Sequence, residues 1–489
     1  MNNNTPKIPF AMAMLPIILM VGAMLVTIVI FEGSPHIPLA FGTTVAALVA
    51  WKHGYKWQQI EDSIYSGIKL ALPAVVIIML VGVAIGAWIG GGIVASMIYY
   101  GLQILSPSLF LVSITLICAV VSIAIGSSWS TMGTIGIAGM GIGISMGIPA
   151  PMVAGAVISG SYFGDKLSPL SDTTNLAAGL TGTDLFEHIK HMLYTTIPGL
   201  LIALAVYWYL GLSFGASASE FENIATTMAI LQDNFVISPW LLLIPVFVIV
   251  LVTRKVPALP ALIVGISLGF LSQVFIQGGS VADAVKALQA GFSIETGNEM
   301  VDGLFNRGGL ESMMYTVSMT IVAMTLGGVL ENTGMLKAIV AKILSKSRSA
   351  KSLIPTTIAS CFMTNATCSE QYISVVVPSR MFAGAYKERG LHSKNLSRAL
   401  EDGGTLTSVF IPWNTCGVFI LATLGVHALE YAPYAVLNFA VPLLSILFAL
   451  TGFSIVKLNS SEQVAAGADD VTTTTTSTEE PGMMQKAGH

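Results

Sequence analysis

Residues 159–176 read SGSYFGDKLSPLSDTTNL. This run gathers Asp165, Lys166 and Asp172, two glycines, Pro169 and seven hydroxyl or amide side chains besides Tyr162. The chain around it is oily: 54% hydrophobic, 10% charged, with a mean hydropathy of +0.78. Soluble domains are about 25% charged. At 489 residues, this chain has too little polar surface to keep itself in water. Apolar stretches near the ~20 residues that cross a hydrocarbon core recur at 9–31, 70–90, 192–211, 238–253, 256–276, 313–330 and 432–456. The composition therefore points to a polytopic membrane protein. The first stretch, behind Lys7, is long for a signal segment and lacks a small-residue cleavage pattern, so it reads as a retained helix. Cys118, Cys361, Cys368 and Cys416 lie in apolar surroundings without CxxC spacing and read as buried small residues.

The net charge of −4 says less than where the charges fall. Cytoplasmic loops are enriched in Lys and Arg. Lys52, Lys56 and Lys69 flank one loop, and Arg254-Lys255 mark a tight turn. Lys337, Lys342, Lys346, Arg348 and Lys351 crowd another loop, and Arg380, Lys387, Arg389, Lys394 and Arg398 a third. The segment 212–237 carries only Glu220, Glu222 and Asp233, and 277–312 is net acidic. Basic loops inside and acidic loops outside give a path with both termini cytoplasmic. The tail 457–489, rich in Ser, Thr and Glu, is expected to be disordered.

The opening run has a partner. Ser128-Trp129-Ser130-Thr131 precedes Asp165, and Thr364-Asn365-Ala366-Thr367 precedes Asp402 at a similar distance, an offset of about 237 residues between halves. Gly86 and Gly92 pair with Gly328 and Gly334 in the same order. On the loop charges the first half starts inside and the second outside, the arrangement of an inverted repeat. Residues 1–211 form the first repeat, 212–237 an external linker and 238–456 the second repeat. Pro169 lacks an N–H and disfavours helix just before it. The hydroxyls around it compete for backbone hydrogen bonds. The run thus reads as a helix broken within the membrane, which is tolerated only where protein or water satisfies the freed backbone. EDGGTLTSVFIPWNT (401–415) repeats the pattern, and GSSWSTMGT (126–134) and TNATCSEQ (364–371) read as tips of re-entrant hairpins.

Half-helix ends and oxygen-bearing side chains are the materials of an ion site. The candidates are Ser128, Ser130, Thr131, Asp165, Asp172, Thr173, Asn175, Thr364, Asn365, Thr367, Glu370, Asp402, Thr405 and Asn414. Asp165 and Asp172 lie seven residues apart, but the break between them leaves open whether both reach one ion. The cluster SDTTN (171–175) also reads as a helix N-cap, and Glu370, an expensive intramembrane carboxylate, could pair with Arg380. Lys166, Arg380 and Arg398 read as membrane-edge residues, and His188 and His191 as solvated. The G-x-S-x-G match at 143–147 lies in an apolar glycine run, far from the context of a hydrolase elbow; the run is better explained by close helix packing. No soluble cofactor or ATP motif is present, and nothing points to an enzyme or to nucleic acid. A passive channel is the remaining rival.

The runs GSSWSTMGT, SYFGDKLSPLSDTTNLAA, TNATCSEQYISVVVPSRMF and EDGGTLTSVFIPWNTC resemble the NhaC family of bacterial sodium/proton antiporters, from about residue 10 to 456. That resemblance implies an all-α membrane protein with two inverted repeats, re-entrant hairpins and interrupted helices. It also implies elevator-like motion and a homodimer in the cytoplasmic membrane. The implied cargo is Na+ against H+, with malate or lactate exchange as the alternative known in the family. Roughly ten full crossings, five per repeat, are expected with the two hairpins. Residues 91–105 and 335–348 are expected to lie as interfacial helices. Na+ and H+ would compete for the oxygen ligands, since desolvation favours the protonated form of a carboxylate.

Overall fold

The computed structural model describes residues 7–31, 33–214, 218–254, 256–347 and 349–458. Lys255, Arg348 and the tail beyond Leu458 lie outside the described residues. The fold is all-α; among the described residues the β pairing is one isolated bridge between Leu391 and Lys457.

Two series of elements follow the same order. The first runs from the 34-residue helix Trp57–Gly90 through Ile93–Ile104 and Pro107–Ile125 to a left-handed cap at Gly126. A helical stretch then returns over 128–145, with one π turn at Met132–Gly136. Ala150–Leu167 follows, breaks, and resumes as Asp172–Thr181. The second series runs through Met314–Asn332, Met335–Leu344 and Ala350–Cys368 to a left-handed cap at Ser369 (φ 59°). Gln371–Glu388 returns. Ser393–Leu400 continues through a π turn at Glu401–Thr405, breaks, and resumes as Thr415–Leu424. The breaks carry Pro169 and Pro412, and the hairpin caps are Gly126 and Ser369; both pairs lie 243 residues apart. The register is therefore shifted from the expected 237. Asp165 sits in the last turn before its break, whereas Asp402 sits more than two turns before the other, so the two aspartates are not counterparts.

Among the described residues, four helices are long and apolar enough to span a bilayer: Trp57–Gly90, Pro107–Ile125, Leu185–Gly211 and Glu311–Asn332. Three bent pairs raise the count to seven. The expected ten is not reached by length and hydropathy, because Ala150–Leu167, Ala350–Cys368 and Gln371–Glu388 are long enough but carry the polar residues of the site. The segment 212–237, expected as a linker, contains the helix Ala218–Asn234. Met335–Leu344 has the amphipathic face expected of an interfacial helix, burying Met335, Leu336, Ile339 and Val340 and exposing Lys337 and Lys342.

Two backbone seams position these parts. Helix Trp57–Gly90 meets Met314–Asn332 where Gly67 lies against Gly328 and the Met324 carbonyl. Ala150–Leu167 lies flush on Pro107–Ile125 because a methyl on Gly160 would meet the Thr115 carbonyl and one on Gly164 the Ala119 carbonyl. Gly164 is adjacent to Asp165, so this seam sets where the carboxylate points. Gly164→Val should force the helices apart and cost about 1–3 kcal/mol, read as a lower melting temperature in detergent. Gly179→Ala, inside a helix and meeting nothing within 4 Å, should leave the melting temperature the same or slightly higher.

Candidate functional site

The breaks and hairpin tips converge. Ser127 opens the returning helix of the first hairpin by accepting from the Ser130 N–H at 3.2 Å. Glu370 opens that of the second, accepting from the Tyr372 N–H at 3.3 Å. The second break is tied to its own hairpin tip: the Thr415 N–H donates to the Ser369 carbonyl at 2.9 Å, and Cys416 Sγ donates to Gln371 Oε1 at 2.7 Å. Across the two series, Trp129 stacks on Phe419 with ring centroids 4.3 Å apart. Asp165 Oδ2 accepts from Ser128 twice, from its N–H at 3.1 Å and its hydroxyl at 2.7 Å. A carboxylate at a helix start gains charge-assisted bonds there.

Together these parts enclose a cavity of about 390 Å³. Ser128, Ser130, Asp165, Asp172, Thr173 and Glu370 line it, with Gln371, Tyr372 and Thr415. Asp165 and Glu370 are buried and Asp172 is exposed. Its described lining carries three carboxylates and no Lys, Arg or His. The carboxylates do not converge on one point: among the described residues, no three His, Cys, Asp or Glu side chains are placed to hold one metal ion. A cation beside any of them would complete its shell with hydroxyl, carbonyl or water oxygen.

The remaining candidates do structural work. Thr131 and Thr367 donate to carbonyls one turn back, Ser127 at 2.9 Å and Thr364 at 3.3 Å, and Thr364 does the same to Ser360 at 2.8 Å. Asn175 Nδ2 bridges the carbonyls of Pro169 and Ser171 at 2.9 and 2.7 Å, bracing the first break. Ser171 caps the helix after it, so the capping role of SDTTN is real. Asn365 Nδ2 donates to the Gly404 carbonyl at 2.7 Å, and Asn414 Oδ1 accepts from the Cys416 N–H at 3.0 Å, bracing the second break. Glu370 makes no ion pair with Arg380 among the described residues.

Asp402 is elsewhere. It forms a fully buried ion pair with Lys166, and Arg398 Nε lies 3.9 Å from its second oxygen. Thr195 donates to both oxygens at 3.4 and 3.3 Å. Lys166 and Arg398 are thus buried inside the protein and do not face solvent, and only Arg380 of the three is exposed. His188 and His191 are buried as well, not solvated. The helix Leu185–Gly211 turns this face inward against Ser393–Leu400 and Asp172–Thr181, which a lone pair of histidines could not reveal. Glu401, beside Asp402 in the sequence, is fully buried in the same cluster and was not among the candidates. Its signal was its position in EDGG, between two apolar stretches.

Residues 160–453 match the family model described as the Na+/H+ antiporter family. The chain belongs to this family. The Na+/H+ antiporter NhaC of Alkalihalophilus pseudofirmus is 40% identical over 448 residues, covering 91% of this chain and 96% of that protein. The malate-2H+/Na+-lactate antiporter of Bacillus subtilis is 38% identical, over 89% of this chain and 94% of its own. The arginine/ornithine antiporter ArcD of Halobacterium salinarum is 35% identical, over 94% and 96%. Family members so close in identity bear names with different cargo, so the cavity has to decide between them.

Two outcomes test the site. If the cavity takes Na+, the ion stabilises the fold by mass action, about 2.7 kcal/mol at a hundredfold excess over Kd. Asp165→Asn and Glu370→Gln should abolish the Na+-specific rise in melting temperature, and Asp283→Asn, exposed far from the cavity, should retain it. In the buried cluster, removing one partner of an ion pair costs about 3–5 kcal/mol, whereas an apolar pair can replace it. Lys166→Met or Asp402→Leu alone should lower the melting temperature sharply, and the double variant should recover part of the loss, the remainder being the cost of leaving Arg398 without Asp402.

Proposed function

We propose that this chain is a secondary antiporter exchanging Na+ for H+ across the cytoplasmic membrane. The observation that carries this reading is the charge of the cavity: Asp165, Asp172 and Glu370 without a basic side chain in the described lining. Such a lining attracts a small hard cation and repels an organic acid. Na+ prefers oxygen ligands, and Ser128, Ser130, Thr173 and Thr415 supply hydroxyls around the carboxylates. A proton on a cavity carboxylate neutralises the charge that holds Na+, so the two ions exclude each other.

Alternating access would follow from treating the two series as inverted repeats, with both termini cytoplasmic and the hairpin tips moving as an elevator against the rest. Discontinuous helices meeting near a substrate site are a frequent transporter design. The ion gradient supplies the energy, without a cofactor, and the working unit is a homodimer.

Purified protein in liposomes tests the cargo. With a Na+ gradient imposed and proton movement followed by a pH-sensitive dye, robust proton flux is expected with no organic solute present. Flux that appears only after adding malate, lactate or arginine would overturn the plain exchanger. Na+ movement uncoupled from protons would leave a channel instead.

A further inference from the structure

Glu401 is the carboxylate of the buried cluster that pairs with no cation among the described residues. Its turn, Glu401–Thr405, lies against Ala350–Cys368 and Gln371–Glu388, where Gly403 meets Ile358 and Gly404 meets Ser374. The side chain is fully buried, and neither oxygen has a hydrogen-bond partner among the described residues. The Thr405 hydroxyl one turn on is the donor beside it, but outside good hydrogen-bond geometry. The cations have gone to the neighbouring carboxylate: Lys166 pairs with Asp402, and Arg398 leans on Asp402 and donates to Ser454 at 2.8 Å. Arg398 Nε and Nη2 are left without hydrogen bonds.

The charged and titratable groups around Glu401 come from every side. Lys166 and Asp165 act on it from Ala150–Leu167 and Asp402 from its own turn. Arg398 lies one turn earlier, and Cys361 faces it from Ala350–Cys368. Tyr386, on Gln371–Glu388, faces Cys361 and Arg398. His188 faces Lys166 and His191 faces Arg398 from Leu185–Gly211. Asp172–Thr181 and Val436–Thr451 also pack on the turn; Asp172 of the former faces the cavity, and the latter carries no titratable side chain.

A bare buried carboxylate costs several kcal/mol, and a proton on it removes that penalty. We propose that Glu401 is a proton-binding site separate from the cation cavity, and that Lys166 links the two. This inference rests on the Na+/H+ reading above. In the arrangement described, Glu401 holds the proton as a neutral acid. When the proton leaves, the carboxylate draws on the unused donors of Arg398 and competes with Asp402 for the Lys166 ammonium. Lys166 follows Asp165 in the chain, and Asp165 lines the cavity. Each re-pairing of the ammonium therefore changes the electrostatic field where Na+ binds. Beside the proton that competes for a cavity carboxylate, this second proton is coupled to Na+ entry without sharing a ligand with it.

The test is proton release on Na+ binding, measured with a pH indicator in weakly buffered detergent solution. Wild-type protein should release protons, and Glu401→Gln should still bind Na+ but release about one fewer per ion bound. Equal release from Glu401→Gln and wild type overturns this inference and leaves the antiport reading standing. No release from wild type removes both. Should Glu401→Gln fail to assemble, infrared difference spectroscopy keeps the question open to refutation. Na+ should remove a carboxylic-acid C=O band from wild type, and Glu401→Asp should shift that band's frequency. A band that Glu401→Asp leaves in place overturns the assignment.

Discussion

Every backbone N–H and C=O surrounded by hydrocarbon needs a partner, and this fold is organised by two places where helices surrender theirs. The first break is closed by Asn175 and Ser171, the second by Asn414 and by the Thr415 N–H on the Ser369 carbonyl. Neither repair is self-contained. The second leans on a hairpin tip, and the Asp165 turn leading into the first is held by Ser128 of the other tip. Irregular backbone, hairpin tips and cavity are therefore one construction. The groups that make the breaks tolerable also gather oxygen ligands and exclude lipid.

Much of this was legible because breaks and tips have local causes. Proline at 169 and 412, glycine at 126 and the hydroxyl and amide caps announce themselves without tertiary context. Of the candidate residues, Ser128, Ser130, Asp165, Asp172, Thr173 and Glu370 line one cavity, whereas Asn365, Thr367, Asp402, Thr405 and Asn414 do not. What escaped was burial of charge. Lys166 and Arg398 sit at helix ends among other polar residues, which in sequence looks the same as a membrane boundary. Their inward placement depends on helix Leu185–Gly211, whose histidines and Thr195 close over them. The repeat register slipped for a related reason. Matching aspartate to aspartate aligned residues of unlike roles, whereas matching proline to proline aligned the backbone.

The two ionic centres differ in what they leave unfinished. The cavity carries carboxylates and hydroxyls with few internal donors, and so stays receptive to a cation. The buried cluster holds two cations and two carboxylates, but shares the cations unequally between Asp402 and Glu401. The consecutive residues Asp165 and Lys166 belong to different centres, so one helical turn carries both.

The seam between Trp57–Gly90 and Met314–Asn332 limits how such a molecule can rearrange. At Gly67 and Gly328 backbone rests on backbone, with no side chains between to act as bearings. Further along the same helix, Gly82 lies against Met313 and the Gly309 carbonyl, and Gly86 against the Ala287 carbonyl. To slide by one turn, the pair would have to climb out of contacts at Gly67 and Gly328 that leave no clearance, so it is fastened there. Trp57–Gly90 also lends Pro73, Ala74 and Ile77 to the cavity wall, so the clearance-free seam holds that wall in register with Met314–Asn332.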